Sequence, residues 1–303
     1  MDWTDLGRLS ALMQQLTSAG LTVAEIGRSG EGRPIYGVTA GDRQADRVVA
    51  IAAGYHATEL IGPLTAITLL QSLPHKSWPS IRFHVVPVAD PDCLYQNVGA
   101  LASGSDLRSL LQINSDRDLE GSFTADTYPE CVAIREWFEQ LDRVDAYFSL
   151  HSAHCISPGV FFYVGDTSNP SWVKAAARQV LSKTPDWIPL LTTDPTTLSK
   201  KSLYPGFFEV SPSSKPDAEA DGPTNSLAFM VRRFQPQYVG ASELPLAISP
   251  DLSGAALTQI DRCNRDVRQT GHTPYPLREM SLETQLQIML CWIGAVADQV
   301  TAL

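Results

Sequence analysis

The sequence predicts an α/β fold built on a mixed, mostly parallel central sheet with helices on both faces. Three observations point there. Continuously apolar runs of strand length, VVAIAA at Val48–Ala53 first among them, read as strands covered on both sides. These runs alternate with stretches of helical period, the pattern of parallel strands joined by crossover helices. No internal repeat or convincing linker divides the 303 residues, so residues 1–303 are expected to form a single domain, with 44% apolar content for its core.

An N-terminal helix is expected within residues 1–20, where Leu6, Leu9, Leu12, Met13 and Leu16 recur at helical spacing before Gly20. Leu21–Gly41 holds two short alternating runs joined by Ser29–Gly32 and reads as a hairpin. After the Val48–Ala53 strand, Leu60–Leu73 carries an apolar stripe through Leu64, Ile67 and Leu70 and closes at Pro74. Ile81–Val88 is a strand ending in the turn signal ADPD, Ala89–Asp92. Gln96–Phe123, rich in Gly, Ser and Asp, is an expected active-site loop with a short helix at Asp106–Leu111. A helix over Pro129–Leu141, strands at Ala146–Leu150 and Val160–Val164, and a helix over Ser171–Leu181 follow. Ile188–Asp221, full of Pro, Ser and Thr, is expected to be a long irregular loop, either solvated or a lid. Ser226–Arg233 reads as helix, Tyr238–Glu243 as strand, and residues 282–300 as a C-terminal amphipathic helix.

A formal net charge of −10 and the lack of any basic cluster argue against a nucleic-acid partner. The five cysteines are odd in number, scattered and without a C-x-x-C, which suits buried thiols in a reducing compartment. The N-terminus has early acids and helical period rather than a basic start and an apolar run, and no stretch approaches the ~18 apolar residues of a membrane span. The expectation is a cytoplasmic protein without a membrane partner.

The chemistry gathers at strand ends. His56-x-x-Glu59 follows the Val48–Ala53 strand, with Gly54 permitting the bend, so that an imidazole and a carboxylate can converge as the chain reverses. His151 ends the strand AYFSL, with His154 as the alternative donor, and Glu243 ends the Tyr238–Glu243 strand. In open α/β sheets ligands bind beyond the carboxyl ends of strands, where all of these residues fall. Each has a plainer reading as well. His56 and Glu59 could belong to a capped helix start, His151 could be a core histidine, and Glu243 could be a surface acid. Cys155 is read as packing.

The order of these residues resembles the zinc carboxypeptidase family, which includes murein peptide amidases. The resemblance extends to GRSGEGRPI at Gly27–Ile35, to GYHATELIGP, to VVPVADPDCLY in place of that family's strand and "NPDG" turn, to SDRDLEG in place of "LNRNF", and to ASELP around Glu243. It implies a three-layer α/β/α sandwich, Zn2+ held by His56, Glu59 and His151, and Glu243 as general base. It also implies that Arg117 grips the carboxylate of a small peptide or amide substrate. Asp116 stands where the family has Asn, and an ammonium on the substrate, as in diaminopimelate-bearing cell-wall peptides, would suit it. Arg108 is the candidate oxyanion donor and Asn97 its alternative. The family's downstream Tyr has no counterpart, since Gly206–Gln237 contains no Tyr. The expected function is zinc-dependent hydrolysis of a peptide or amide bond beside a free carboxylate. The alternatives are an N-acyl amino acid deacylase resembling aspartoacylase and succinylglutamate desuccinylase, or a non-catalytic peptide-binding relative.

Overall fold

The computed structural model describes residues 2–42, 44–56, 58–75, 78–99, 101, 105–113, 117–152, 155–212, 224–255 and 257–303. In chain order the elements are α1 (Leu9–Ser18), the hairpin β1 (Thr22–Arg28) and β2 (Pro34–Ala40), then β3 (Arg47–Ala53), α2 (Ile61–Ser72) and β4 (Ile81–Val86). Next come α3 (Pro91–Val98), α4 (Leu107–Leu111), α5 (Pro129–Glu139), β5 (Ala146–Leu150), β6 (Ile156–Ser157), β7 (Phe161–Gly165) and α6 (Pro170–Lys183). The chain continues through β8 (Ser202–Tyr204), β9 (Phe207–Val210), α7 (Ser226–Phe234), β10 (Tyr238–Glu243), β11 (Ala247–Ile248), α8 (Leu257–Thr270), β12 (Arg278–Glu279) and α9 (Leu282–Thr301).

The central sheet runs β1-β2-β4-β3-β5-β10-β7-β9-β8. Its middle, β4-β3-β5-β10, is parallel, and antiparallel pairings appear where β2 meets β4 and β7 meets β10. The expected mixed sheet forms, and its centre is where the parallel strands lie. Successive residues of a strand point to opposite faces, and β3 divides itself accordingly. Val49, Ile51 and Ala53 join the core under α2, α6 and α9, while Val48, Ala50 and Ala52 join the core under α5 and α7. Helices on both faces give the three layers. Trp292 of α9 anchors one of them, its indole N–H donating to Tyr238 Oη at 2.7 Å and its ring packing on Phe148 and Phe162.

A smaller sheet, β12-β11-β6, lies beside the strand ends, and α8 covers it through Ile260, Cys263 and Val267. Three sequence expectations need correction. The ADPD turn is the start of α3: Asp90 accepts from the Cys93 N–H at 3.1 Å as N-cap, and Pro91 takes the first helical position, where its missing N–H costs nothing. The segment Ile188–Asp221 is not wholly irregular, because β8 and β9 extend the central sheet within it. The 14-residue helix α8 stands in a stretch for which no element was expected. Its composition is mostly polar, and tertiary packing of three apolar side chains supplies what periodicity alone did not make evident.

Candidate active site

The site forms where β3, β5 and β10 end. Gly54 follows β3 at φ +73°, a conformation that L side chains rarely adopt, and turns the chain sharply. The turn closes with the Glu59 N–H donating to the His56 carbonyl at 3.0 Å. Gly62, just inside α2, lies so close to β5 that a Cβ there would sit 2.4 Å from the Leu150 carbonyl oxygen. A bare backbone at that contact lets the His56–Glu59 turn reach the end of β5, where His151 emerges.

The convergence is direct. Glu59 Oε1 lies 3.1 Å from His56 Nδ1, and Oε2 lies 2.8 Å from His151 Nδ1. Ligand atoms at ~2.0–2.1 Å from a tetrahedral zinc would be separated by about 3.3 Å, so these spacings suit one divalent cation. The three side chains form a group in which one donor atom from each lies within 4.8 Å of the others. The far nitrogens are also held. His56 Nε2 faces Asp118 Oδ1 at 2.9 Å, and His151 Nε2 faces Ser149 Oγ at 2.7 Å, with Glu120 Oε2 at 3.9 Å. Such partners fix ring orientation and tautomer. Ser242 ties the strand ends together, accepting from the His151 N–H and donating to its carbonyl, both at 2.9 Å.

The electrostatics follow from this packing. Burial disfavours a charged His56, but Glu59, Asp118 and Glu120 outweigh it and lift its pKa to about 11. Burial likewise opposes charge on His151, and Glu59 again prevails, raising the pKa. Glu59 itself is desolvated, yet the two imidazoles bring it down to about 2. Glu243 is pushed up to about 8, first by burial and then by the charge of Glu59, against the pull of His151. Burial also raises Glu120, which accepts from the Ser226 hydroxyl at 2.8 Å and N–H at 3.2 Å.

Glu59 and Glu243 line one cleft of about 290 Å³, together with Ser152, Phe161, Thr196 and Arg268. Arg117 sits in a different setting. Its guanidinium reaches Glu130 at 2.7 Å, Asp90 at 3.2 Å and Asp92 at 3.7 Å, and stacks over Tyr128. The hairpin joins the same network, since Asp92 accepts from Ser29 Oγ at 2.6 Å, the Glu31 N–H at 2.9 Å and Arg33 at 2.8 Å. Asn97 lies on α3, and Arg108, on α4, packs against Gly271. Neither is among the described residues that line the cleft. Asp116 and His154 lie outside the described residues.

Asp118, Ser149, Glu120 and Arg268 were not singled out from the sequence. Ser149 had a visible signal, a small polar side chain in an apolar strand two residues before His151 and so on the same face. Asp118 and Arg268 had none, because their partners are 62 and 113 residues away in the chain.

The family model for zinc carboxypeptidases matches residues 9–95, which include His56 and Glu59. Over that stretch, less than a third of its length, the chain is similar to the zinc carboxypeptidase family. Among curated proteins none matches its sequence significantly. A crystal structure from Shewanella denitrificans OS217, assigned to the metallopeptidases, superposes over 99% of this chain and 92% of its own, with a TM-score of 0.65 and 14% identity. The metallo-carboxypeptidase from Burkholderia cenocepacia is similar over 97% of this chain and 69% of its own (TM-score 0.61, 16% identity). Carboxypeptidase A from Helicoverpa armigera is similar over 96% and 72% (TM-score 0.57, 16% identity). At these identities the likeness is one of fold. Among the described residues, no helix is long and apolar enough to cross a membrane.

Proposed function

We propose that the protein is a zinc-dependent hydrolase that cleaves a peptide or amide bond next to a free carboxylate. The observation that carries this reading is the convergence of His56 Nδ1, Glu59 and His151 Nδ1 on one point, with Glu243 in the cleft that Glu59 lines. Two imidazoles and one carboxylate form a donor set that zinc takes in hydrolases, and the spacing of the donor atoms fits it. When bound, zinc supplies Lewis acidity, which polarises a carbonyl and makes water a usable nucleophile near neutral pH.

The remaining work belongs to the chain. Glu243, whose basicity burial raises towards neutrality, takes a proton from the attacking water at a carboxylate oxygen and returns it to the departing nitrogen. Asp118 and Ser149 hold the two imidazoles with Nδ1 towards the common point. A cleft of about 290 Å³ suits a terminal residue rather than a long peptide. Cell-wall peptides with γ-D-glutamyl-diaminopimelate linkages are the proposed substrate class, because Asp116 in place of Asn would suit an ammonium at the substrate's end.

Elemental analysis of the purified protein, followed by a screen of peptides, muropeptides and N-acyl amino acids, tests the proposal. The expected result is about one equivalent of zinc, lost in His151→Ala, with turnover of carboxylate-ended peptides. Turnover of N-acyl amino acids alone would make the protein a deacylase. Peptide binding without turnover at full zinc occupancy would make it a binding module.

A further inference from the structure

We infer that Arg268, on α8, is the residue that grips the free carboxylate of the substrate, so that the preference for an anionic chain end is set by the α8 wall. The inference rests on the hydrolase reading of the same cleft. It begins with the charges. Glu59 and Glu243 make the cleft acidic, and an anionic substrate needs a cation to enter it. Arg117 is already committed: three carboxylates surround its guanidinium, Asp90 and Glu130 among them fully buried, and Tyr128 covers its face.

Arg268 is in the opposite condition. Its side chain lines the cleft alongside Glu59 and Glu243, and among the described residues no carboxylate pairs with it. Its Nη2 donates to Cys155 Sγ at 3.3 Å, a weak acceptor that a carboxylate readily replaces. The planar fork of a guanidinium matches a carboxylate with two parallel hydrogen bonds. The support is firm as well. Asn264, one turn earlier on the same face of α8, accepts from the Ile156 N–H at 2.8 Å and donates to the Ile156 carbonyl at 2.9 Å, pinning the helix to β6. Ile260, Cys263 and Val267 are buried against the same small sheet. Arg268 shares the cleft with Glu59 and Glu243, so a substrate whose anionic end it holds lies in the same cavity as those two carboxylates.

The test compares an acid with its uncharged twin. Zinc-loaded wild type, Arg268→Gln and Arg268→Lys are titrated calorimetrically with N-acetyl-L-alanine and N-acetyl-L-alaninamide. Any affinity of the carboxylate for the metal is common to all three proteins and cancels in the comparison. The preference of wild type for the acid should fall by about tenfold or more in Arg268→Gln and by less in Arg268→Lys, with zinc content and thermal midpoint unchanged. An acid preference untouched by Arg268→Gln overturns the inference, and so does a wild type that binds acid and amide equally. In turnover, KM for carboxylate-ended substrates should rise while kcat stays within a few-fold. A fall in kcat at constant KM would assign Arg268 to the reacting carbonyl instead and overturns the inference too. Failure of the hydrolase reading looks different: no peptide is turned over with zinc bound, whatever the acid preference.

Discussion

The floor of the cleft and its α8 wall are built on different principles. The floor is the parallel centre of the sheet, where β3 and β5 are buried on both faces and His56, Glu59 and His151 are each held by two or more partners. The wall is a mostly polar helix resting on two-residue strands, with Asn264 and the buried Ile260, Cys263 and Val267 among its attachments. The two arginines show the contrast. Arg117 is paired with buried acids, whereas Arg268 stands in the cleft. Chemistry that depends on fixed geometry is placed on the rigid region, and recognition is placed on the more lightly attached one.

The largest expected effect strikes the floor where the two regions meet. Glu243→Gln keeps the shape of the side chain and removes its capacity to accept a proton. It should lower kcat by about 10²–10⁴ with zinc content unchanged, as measured by steady-state kinetics beside elemental analysis. A variant that retained wild-type kcat would remove Glu243 from the reaction.

Arg117→Ala sharpens the comparison between the arginines. It leaves Asp90 and Glu130, both fully buried, without their cation, and breaking a buried pair in this way costs about 3–5 kcal/mol. Arg268→Gln removes an exposed side chain and should change stability by no more than about 0.5 kcal/mol. Urea denaturation of both variants measures the difference, and equal costs would erase the contrast between the two arginines.

The sequence revealed the floor far better than the wall, for physical reasons. An apolar run followed by Gly54, His56 and Glu59 carries its meaning locally, and so does a His ending the strand AYFSL. The hairpin motif Gly27–Ile35 is visible too, but its role in holding Asp92 becomes clear only when residues about sixty positions apart meet. α8 has its apolar residues at the spacing Ile260, Cys263, Val267, a legible stripe but a thin one among charged neighbours. β8 and β9 are three and four residues long and owe their form to pairing along the sheet edge. The acid cage of Arg117 joins α3, α5 and the loop before Asp118, and no local pattern encodes such a meeting.

A smaller effect is expected from Asp118→Asn, which weakens the carboxylate behind His56. Zinc affinity should fall by about 10–100-fold in a competition titration, with the fold intact. Proton linkage gives an independent check. Without metal, His56 is raised from 6.5 to about 11, so its pairing stabilises the fold fully below pH 6.5 and is lost as pH rises through about 11. Glu59, lowered to about 2, contributes above pH 4.5 and loses its contribution as pH falls through about 2. Metal ligation requires both imidazoles neutral at the donor nitrogen, so zinc uptake near neutrality must release protons and tighten as pH rises. Affinity that stayed flat between pH 6 and 8 would contradict the assignment of His56 and His151 as ligands.

The loss most informative about the wall comes from Asn264→Ala. The side chain satisfies both backbone groups of Ile156 at 2.8 and 2.9 Å and is itself buried, so the substitution strands a buried N–H and C=O at a cost of about 1–3 kcal/mol. The floor does not depend on this contact, since His151 is tied to β10 through Ser242 and Glu59 approaches β5 through Gly62. Zinc content should therefore hold, while hydrogen exchange quickens along α8 and not along α2 or α9. If α8 carries the carboxylate-gripping arginine, loosening it should raise KM for carboxylate-ended substrates more than it lowers kcat. A variant with faster exchange throughout the chain would mean that wall and floor unfold as one unit, and the division between them would be an artefact of how the cleft is lined.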